Sequence, residues 1–91
     1  SNQAISSEVE KNENAIGYIG MGYMDDTVKA VNVDGVAASV ENVSNKTYPI
    51  SRGLYWYTDG ETKGDLKQLI DFVFSEEGQS LVAKEGFVPV K

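Results

Sequence analysis

Asp25-Asp26 and Glu76-Glu77 are the paired carboxylates of this chain, and paired carboxylates are what a divalent cation or acid–base chemistry requires. Neighbours in sequence seldom converge on one point, so a solvated turn and the acidic first turn of a helix are the favoured readings, and no glycosidase-type pair is defensible. The 91 residues contain no cysteine and no histidine. That removes disulfides, thiol nucleophiles, Cys/His zinc sites and a histidine base together, so no catalytic residue, metal or cofactor is expected. Arg52, the only arginine, follows Tyr48-Pro49-Ile50-Ser51 and can hold a carboxylate or phosphate bidentately. A surface or interdomain ion pair is its favoured reading. Tyr55-Trp56-Tyr57 offers amphipathic rings to a sugar or peptide, but alternation along a strand turns at least one ring inward, which favours core packing.

The stretch Ala15 to Tyr23, AIGYIGMGY, has three glycines, two tyrosines and no charge. A phosphate loop needs Gly-Lys-Ser/Thr, and a dinucleotide loop needs a helix directly after it, which Tyr23-Met24-Asp25-Asp26 does not promise. A buried strand, AIGYI, running into a tight bend or a close backbone approach fits better. The formal net charge of -6 and a pI near 4.4 argue against nucleic acid.

These residues need elements to position them. The length suits one small cooperative domain. No window reaches a membrane span, so the chain reads as soluble, and Ser-Asn-Gln-Ala at its start reads as a tag-removal scar or the start of an excised fragment. Ser7 and Glu10 have capping-box spacing and predict a weak surface helix within Ser6 to Asn14. From Asp25 to Lys46, short alternating pieces around the Asp34-Gly35 turn predict edge strand and connection. Gly53 to Thr58 predicts a strand buried on both faces and closed by Asp59-Gly60. Leu66, Leu69, Ile70, Val73 and Phe74 mark one helix face, with Thr62 and Asp65 spaced as a capping box. Ser75-Glu76-Glu77 starts a second helix that Gly86 stops. The expected class is α/β, with the first helix burying Leu69 against Leu54 to Thr58.

The order AIGYIGMGY, VKAVNVDGV, VENV, YPISRGLYWYT and LKQLIDFVFSEEGQSLVAKEGFVPV resembles the C-terminal portion of the phosphate-binding proteins of phosphate ABC transporters, from about Ala15 to Val90. Gly53 departs from the proline usual at that strand entry. The resemblance implies a piece of a two-lobed, type 2 periplasmic-binding-protein-like fold, a few-stranded sheet with two C-terminal helices packed on it, with 1–14 as scar and surface helix and 15–91 as the family part. It implies a non-catalytic, extracytoplasmic protein, periplasmic or anchored at the cell surface, that delivers inorganic phosphate to ABC permease subunits. AIGYI would be a second-lobe strand whose glycines turn the chain near the cleft. Tyr18 can face that cleft, with simple packing favoured, and Arg52 does not match the family's phosphate arginine. The family's Thr/Gly-rich loop and Ser-Gly-Thr motif are absent from these residues, so Tyr18 and Arg52 are the only ligand-binding candidates and weak phosphate binding is expected. A homodimer covering exposed apolar surface is also expected. The alternative reading is an interaction module that binds a protein or glycan through Tyr55-Trp56-Tyr57.

Overall fold

A computed structural model of the chain describes residues 1–90. Helix α1 spans Asn2–Lys11. The Ser1 hydroxyl caps it by accepting from the Ala4 N–H at 3.2 Å, so the helix starts well before the Ser7 and Glu10 spacing suggests. Ile5 and Val9 cover the following extended stretch so closely that a Cβ at Gly17 would lie 2.6 Å from Ile5 Cγ2. The Asn2 carboxamide oxygen accepts from the Gly20 N–H at 3.0 Å, and a 3-10 turn, Met21–Tyr23, follows.

Asp34 and Gly35 take positive φ, 51° and 77°, and Val33 and Val36 exchange two 2.9 Å backbone hydrogen bonds around them. This is the hairpin turn that Asp-Gly predicts. The expected edge strand beyond it is instead α2, Val40–Ser44. Ser39 accepts from the Asn42 N–H at 3.1 Å while the Asn42 side chain donates to the Ala37 carbonyl at 2.9 Å, and these local bonds outcompete extended pairing.

Helices α3, Gly64–Val73, and α4, Glu76–Lys84, pack on each other. The Thr62 capping box does not form; Lys63 is the N-cap and makes no side-chain cap bond. Ser75 caps α4 as expected, accepting from the Gly78 N–H at 3.1 Å and donating to the Phe72 carbonyl, which welds the two helix ends together. At the far end, Gly86 N–H donates to Ala83 and Phe87 N–H to Val82, a Schellman closure with Gly86 at φ 90°.

The expected few-stranded sheet is not formed among the described residues, where Val33 with Val36 is the one β-bridge. AIGYI and Gly53 to Thr58 take no regular secondary structure and pair with no neighbour, and both are largely exposed rather than buried. A strand holds its place by hydrogen bonds to a chain alongside it, and no other extended segment here runs alongside. Helix α3 therefore has no sheet to cover, and Leu69 is 51% exposed, contrary to the expected burial against Leu54 to Thr58. No apolar side chain among the described residues is fully buried; Ser6, Gly78 and Gln79 are the buried positions. The radius of gyration, 16.4 Å, exceeds the roughly 12 Å of a compact domain of this length.

Candidate functional site

Asp25 lies just past the 3-10 turn, where its carboxylate accepts from the Thr27 hydroxyl at 2.5 Å and from the Thr27 N–H at 2.9 Å. Those bonds, the hydroxyl first, hold its carboxyl below the usual carboxylate range. Asp26 is exposed beside it, and Glu76 and Glu77 are exposed in the first turn of α4, where the helix dipole favours them. Among the described residues no three His, Cys, Asp or Glu side chains are grouped to hold a metal ion.

Tyr18 is 87% exposed on the first extended stretch, so the simple packing favoured for it is not observed. Arg52 is exposed on the second stretch and makes no ion pair among the described residues; the pair that does form there is Lys67 with Asp71, one turn apart on α3. The surface ion pair expected of Arg52 is thus not formed among the described residues. No hydrogen bond joins Arg52 to Tyr18. Tyr55, Trp56 and Tyr57 are 74%, 60% and 92% exposed, which corrects the expectation that at least one ring packs inward. The missing sheet explains the exposure of Tyr18 and of these rings, because an inward face exists only when something lies behind the strand.

Two residues have structural roles that the sequence did not reveal. Gln79 is buried between the helices and the C-terminal tail, donating to the Val73 carbonyl at 2.8 Å and accepting from the Val90 N–H at 2.7 Å. Its only signal is a polar residue placed one turn into α4. Gly86 was legible as a helix stop, but not as the partner of Gly22: a Cβ at Gly22 would sit 2.5 Å from Gly86 Cα. The close approach expected of AIGYIGMGY is there.

Two open apolar hollows flank α4. One, of about 300 Å³, is lined by Phe72, Leu81, Val82 and Phe87 with Glu85 beside them; the other, of about 400 Å³, is lined by Phe74, Ala83 and Pro89 with Glu76. Neither presents a cation, and each carries a carboxylate, so neither suits an anion. What the geometry does offer is a capped helix pair, a glycine crossing, and two unpaired extended segments carrying Tyr18 and Arg52.

A family model described as a PBP superfamily domain matches residues 1–77. Phosphate-binding protein PstS 2 of Streptococcus agalactiae is 34% identical over 91 residues, covering 99% of this chain and 31% of the relative. Phosphate-binding protein PstS of Bacillus subtilis is 36% identical over 92 residues, covering 99% and 31%. A crystal structure from Clostridium perfringens, described as a phosphate ABC transporter substrate-binding protein with bound phosphate, superimposes with a TM-score of 0.78 at 51% identity, covering all of this chain and 38% of that one. The chain spans about a third of the length of the curated relatives it matches.

Proposed function

The chain belongs to the PBP superfamily, and from that premise we propose that it is part of an extracytoplasmic solute-binding protein that captures inorganic phosphate for an ABC importer. The observation that carries this reading is the 51% identity, over the whole chain, to a protein described with phosphate bound. The protein is a carrier, not an enzyme: it holds its anion and releases it unchanged to permease subunits, either in a periplasm or anchored at a cell surface. The expected division of the chain into 1–14 and a family part 15–91 is not kept in this reading, because the family model begins at residue 1 and takes in helix α1.

The described residues supply framework for that task rather than the anion's ligands. A dianion leaving water needs several N–H or O–H donors converging on it. Here one arginine and a tyrosine stand on separate exposed segments, in a chain whose net charge of -6 repels phosphate. Tyr18 and Arg52 are thus the only candidates for ligand contact, and the rest of the donor set comes from other parts of the whole protein. Calorimetric titration of phosphate tests this. The whole protein should give a stoichiometric isotherm, and these 91 residues alone should bind no tighter than about millimolar, roughly -4 kcal/mol. A micromolar isotherm from the chain alone would place the site within it, and a whole protein blind to phosphate would overturn the reading.

The exposure of all three rings from Tyr55 to Tyr57 favours a second reading, an interaction module whose aromatic strand binds a protein or glycan. In a phosphate carrier these rings would be covered, so quenching of Trp56 by acrylamide in the whole protein separates the two. On the first reading the apolar faces left bare in the chain alone are covered by the remainder of the protein, or in its absence by a second copy.

A further inference from the structure

We propose that Asp59-Gly60 is a site of spontaneous covalent modification, where aspartate converts to isoaspartate through a cyclic imide, and that Asp34-Gly35, the same dipeptide, is protected from this reaction by its hairpin. The proposal stands apart from the phosphate reading. The reaction needs a side-chain carboxyl, an unhindered main-chain nitrogen one residue on, and freedom to bring the two together. Asp34 and Asp59 are the two aspartates followed by glycine, and no asparagine is. With no Cβ beside it, the glycine nitrogen is the least hindered a main chain offers.

The chemistry balances with water alone. The Gly60 nitrogen bonds to Asp59 Cγ, and its proton leaves with the carboxyl hydroxyl as water, closing the imide. A returning water opens the ring. Attack at Cγ restores aspartate, whereas attack at the main-chain carbonyl carbon breaks its bond to the Gly60 nitrogen and leaves that nitrogen on Cγ. Mass and charge are unchanged, but the main chain gains a methylene between the Tyr55 to Tyr57 segment and the start of α3 at Gly64.

Exposure does not separate the two sites, since all four residues are exposed, and neither does space, since a Cβ on either glycine would meet nothing within 4 Å. Backbone freedom does. Ring closure requires the aspartate ψ to turn until the glycine nitrogen faces Cγ. At Asp34 φ is 51°, where an L-residue is confined to the small left-handed well and ψ has little room. The two 2.9 Å bonds between Val33 and Val36 hold both ends of that turn, and Gly35 at φ 77° completes it. Asp59 has no positive φ, so the broad ψ ranges are open to it. Among the described residues no backbone hydrogen bond spans Asp59-Gly60. The Thr58 hydroxyl donates to the Gly60 carbonyl at 3.0 Å and leaves the Gly60 nitrogen unengaged.

The test incubates the whole protein in heavy-oxygen water at neutral pH and then digests it in ordinary water to recover each Asp-Gly peptide. Every ring opening leaves one heavy oxygen in the peptide, and electron-transfer dissociation distinguishes isoaspartate from aspartate. Asp59 should take up label about five- to thirty-fold faster than Asp34, the factor that backbone strain of this kind is worth, and isoaspartate should accumulate at position 59. Asp59→Glu, whose imide ring is one atom larger and closes far more slowly, should remove the label there. Unfolding in urea should bring the rates at Asp34 and Asp59 together, because the difference is one of geometry. Equal rates in the folded protein, or a faster rate at Asp34, overturn the proposal. So does a preference for Asp59 that survives in urea, which would assign it to the flanking residues rather than to the fold.

Discussion

Gln79 satisfies two backbone groups from two different segments, the Val73 carbonyl and the Val90 N–H, from a position that is 6% exposed. Gln79→Leu keeps the volume and removes both part-buried bonds, and should cost about 0.5–1.5 kcal/mol for each. Hydrogen exchange at the Val90 amide reads the effect directly: its protection should vanish while that of mid-helix amides in α3 persists. At Asp25 the expected change is in titration. The Thr27 hydroxyl is the larger cause of its lowered pKa, so Thr27→Val should move that pKa upward toward the ordinary carboxylate value, with the remaining Thr27 N–H bond holding part of the shift. Because the folded pKa is the lower one, whatever Asp25 contributes to stability is present above its unfolded pKa and fades as pH falls through the folded one. Carbon-detected NMR titration of the Asp25 carboxyl from neutral pH downward should show the upward move in the variant, and identical curves would remove the hydroxyl as the cause.

At the scale of elements, Gly78 inverts an ordinary expectation. Alanine in place of glycine inside a helix is usually stabilising by about 1 kcal/mol. In α4 a Cβ at position 78 would run into the Phe72 and Val73 carbonyl oxygens at the end of α3, so Gly78→Ala should lower the thermal midpoint and loosen the α3–α4 pair. Ser75→Ala should lose about 1 kcal/mol of helix stability by giving up the cap to Gly78 N–H. The cap and stop of α4 and the stripe of α3 were legible because they are local: Ser75 sits before two acids, Gly86 follows the last turn, and Leu66, Leu69, Ile70 and Val73 repeat at helical spacing, whereas the Thr62 box gave way to an uncapped start at Lys63. Asp34-Gly35 was legible for the same reason. Helix α2 was not, since five residues held by Ser39 and Asn42 leave no periodic stripe to read. The strands expected at AIGYI and Gly53 to Thr58 do not form in the chain as it stands, because both pairing and burial depend on partners distant in sequence. In the chain as it stands, with Leu69 half exposed, Leu69→Ala should shift the denaturation midpoint little, whereas the same change in the whole protein should cost about 2–5 kcal/mol if the face is covered there.

For the molecule as a whole the governing quantity is surface. The chain exposes 7729 Å², and a compact monomer of its mass would expose about 5,200 Å². The difference, about 2,500 Å², is more than the roughly 800 Å² each partner contributes to a standard interface. It is also of the right kind, since Ile16, Tyr18, Leu54, Tyr55, Trp56 and Tyr57 are all exposed on segments whose backbone is unpaired. Unpaired extended chain rich in apolar side chains is a template for pairing with another chain. These 91 residues alone should therefore self-associate, most simply as a two-fold dimer, and the whole protein should not do so through this surface. Opposing this is a charge of -6 on every copy, which repels at long range and is screened within about 8 Å at physiological ionic strength. The dimer should accordingly strengthen with added sodium chloride, the reverse of an assembly held by ion pairs. Sedimentation velocity at several protein concentrations and two salt concentrations reads both predictions at once. A single monomer boundary at high concentration in high salt would mean that the extended segments fold back onto the chain and bury their aromatic residues without help, and Trp56 emission shifted to the blue would show where they had gone.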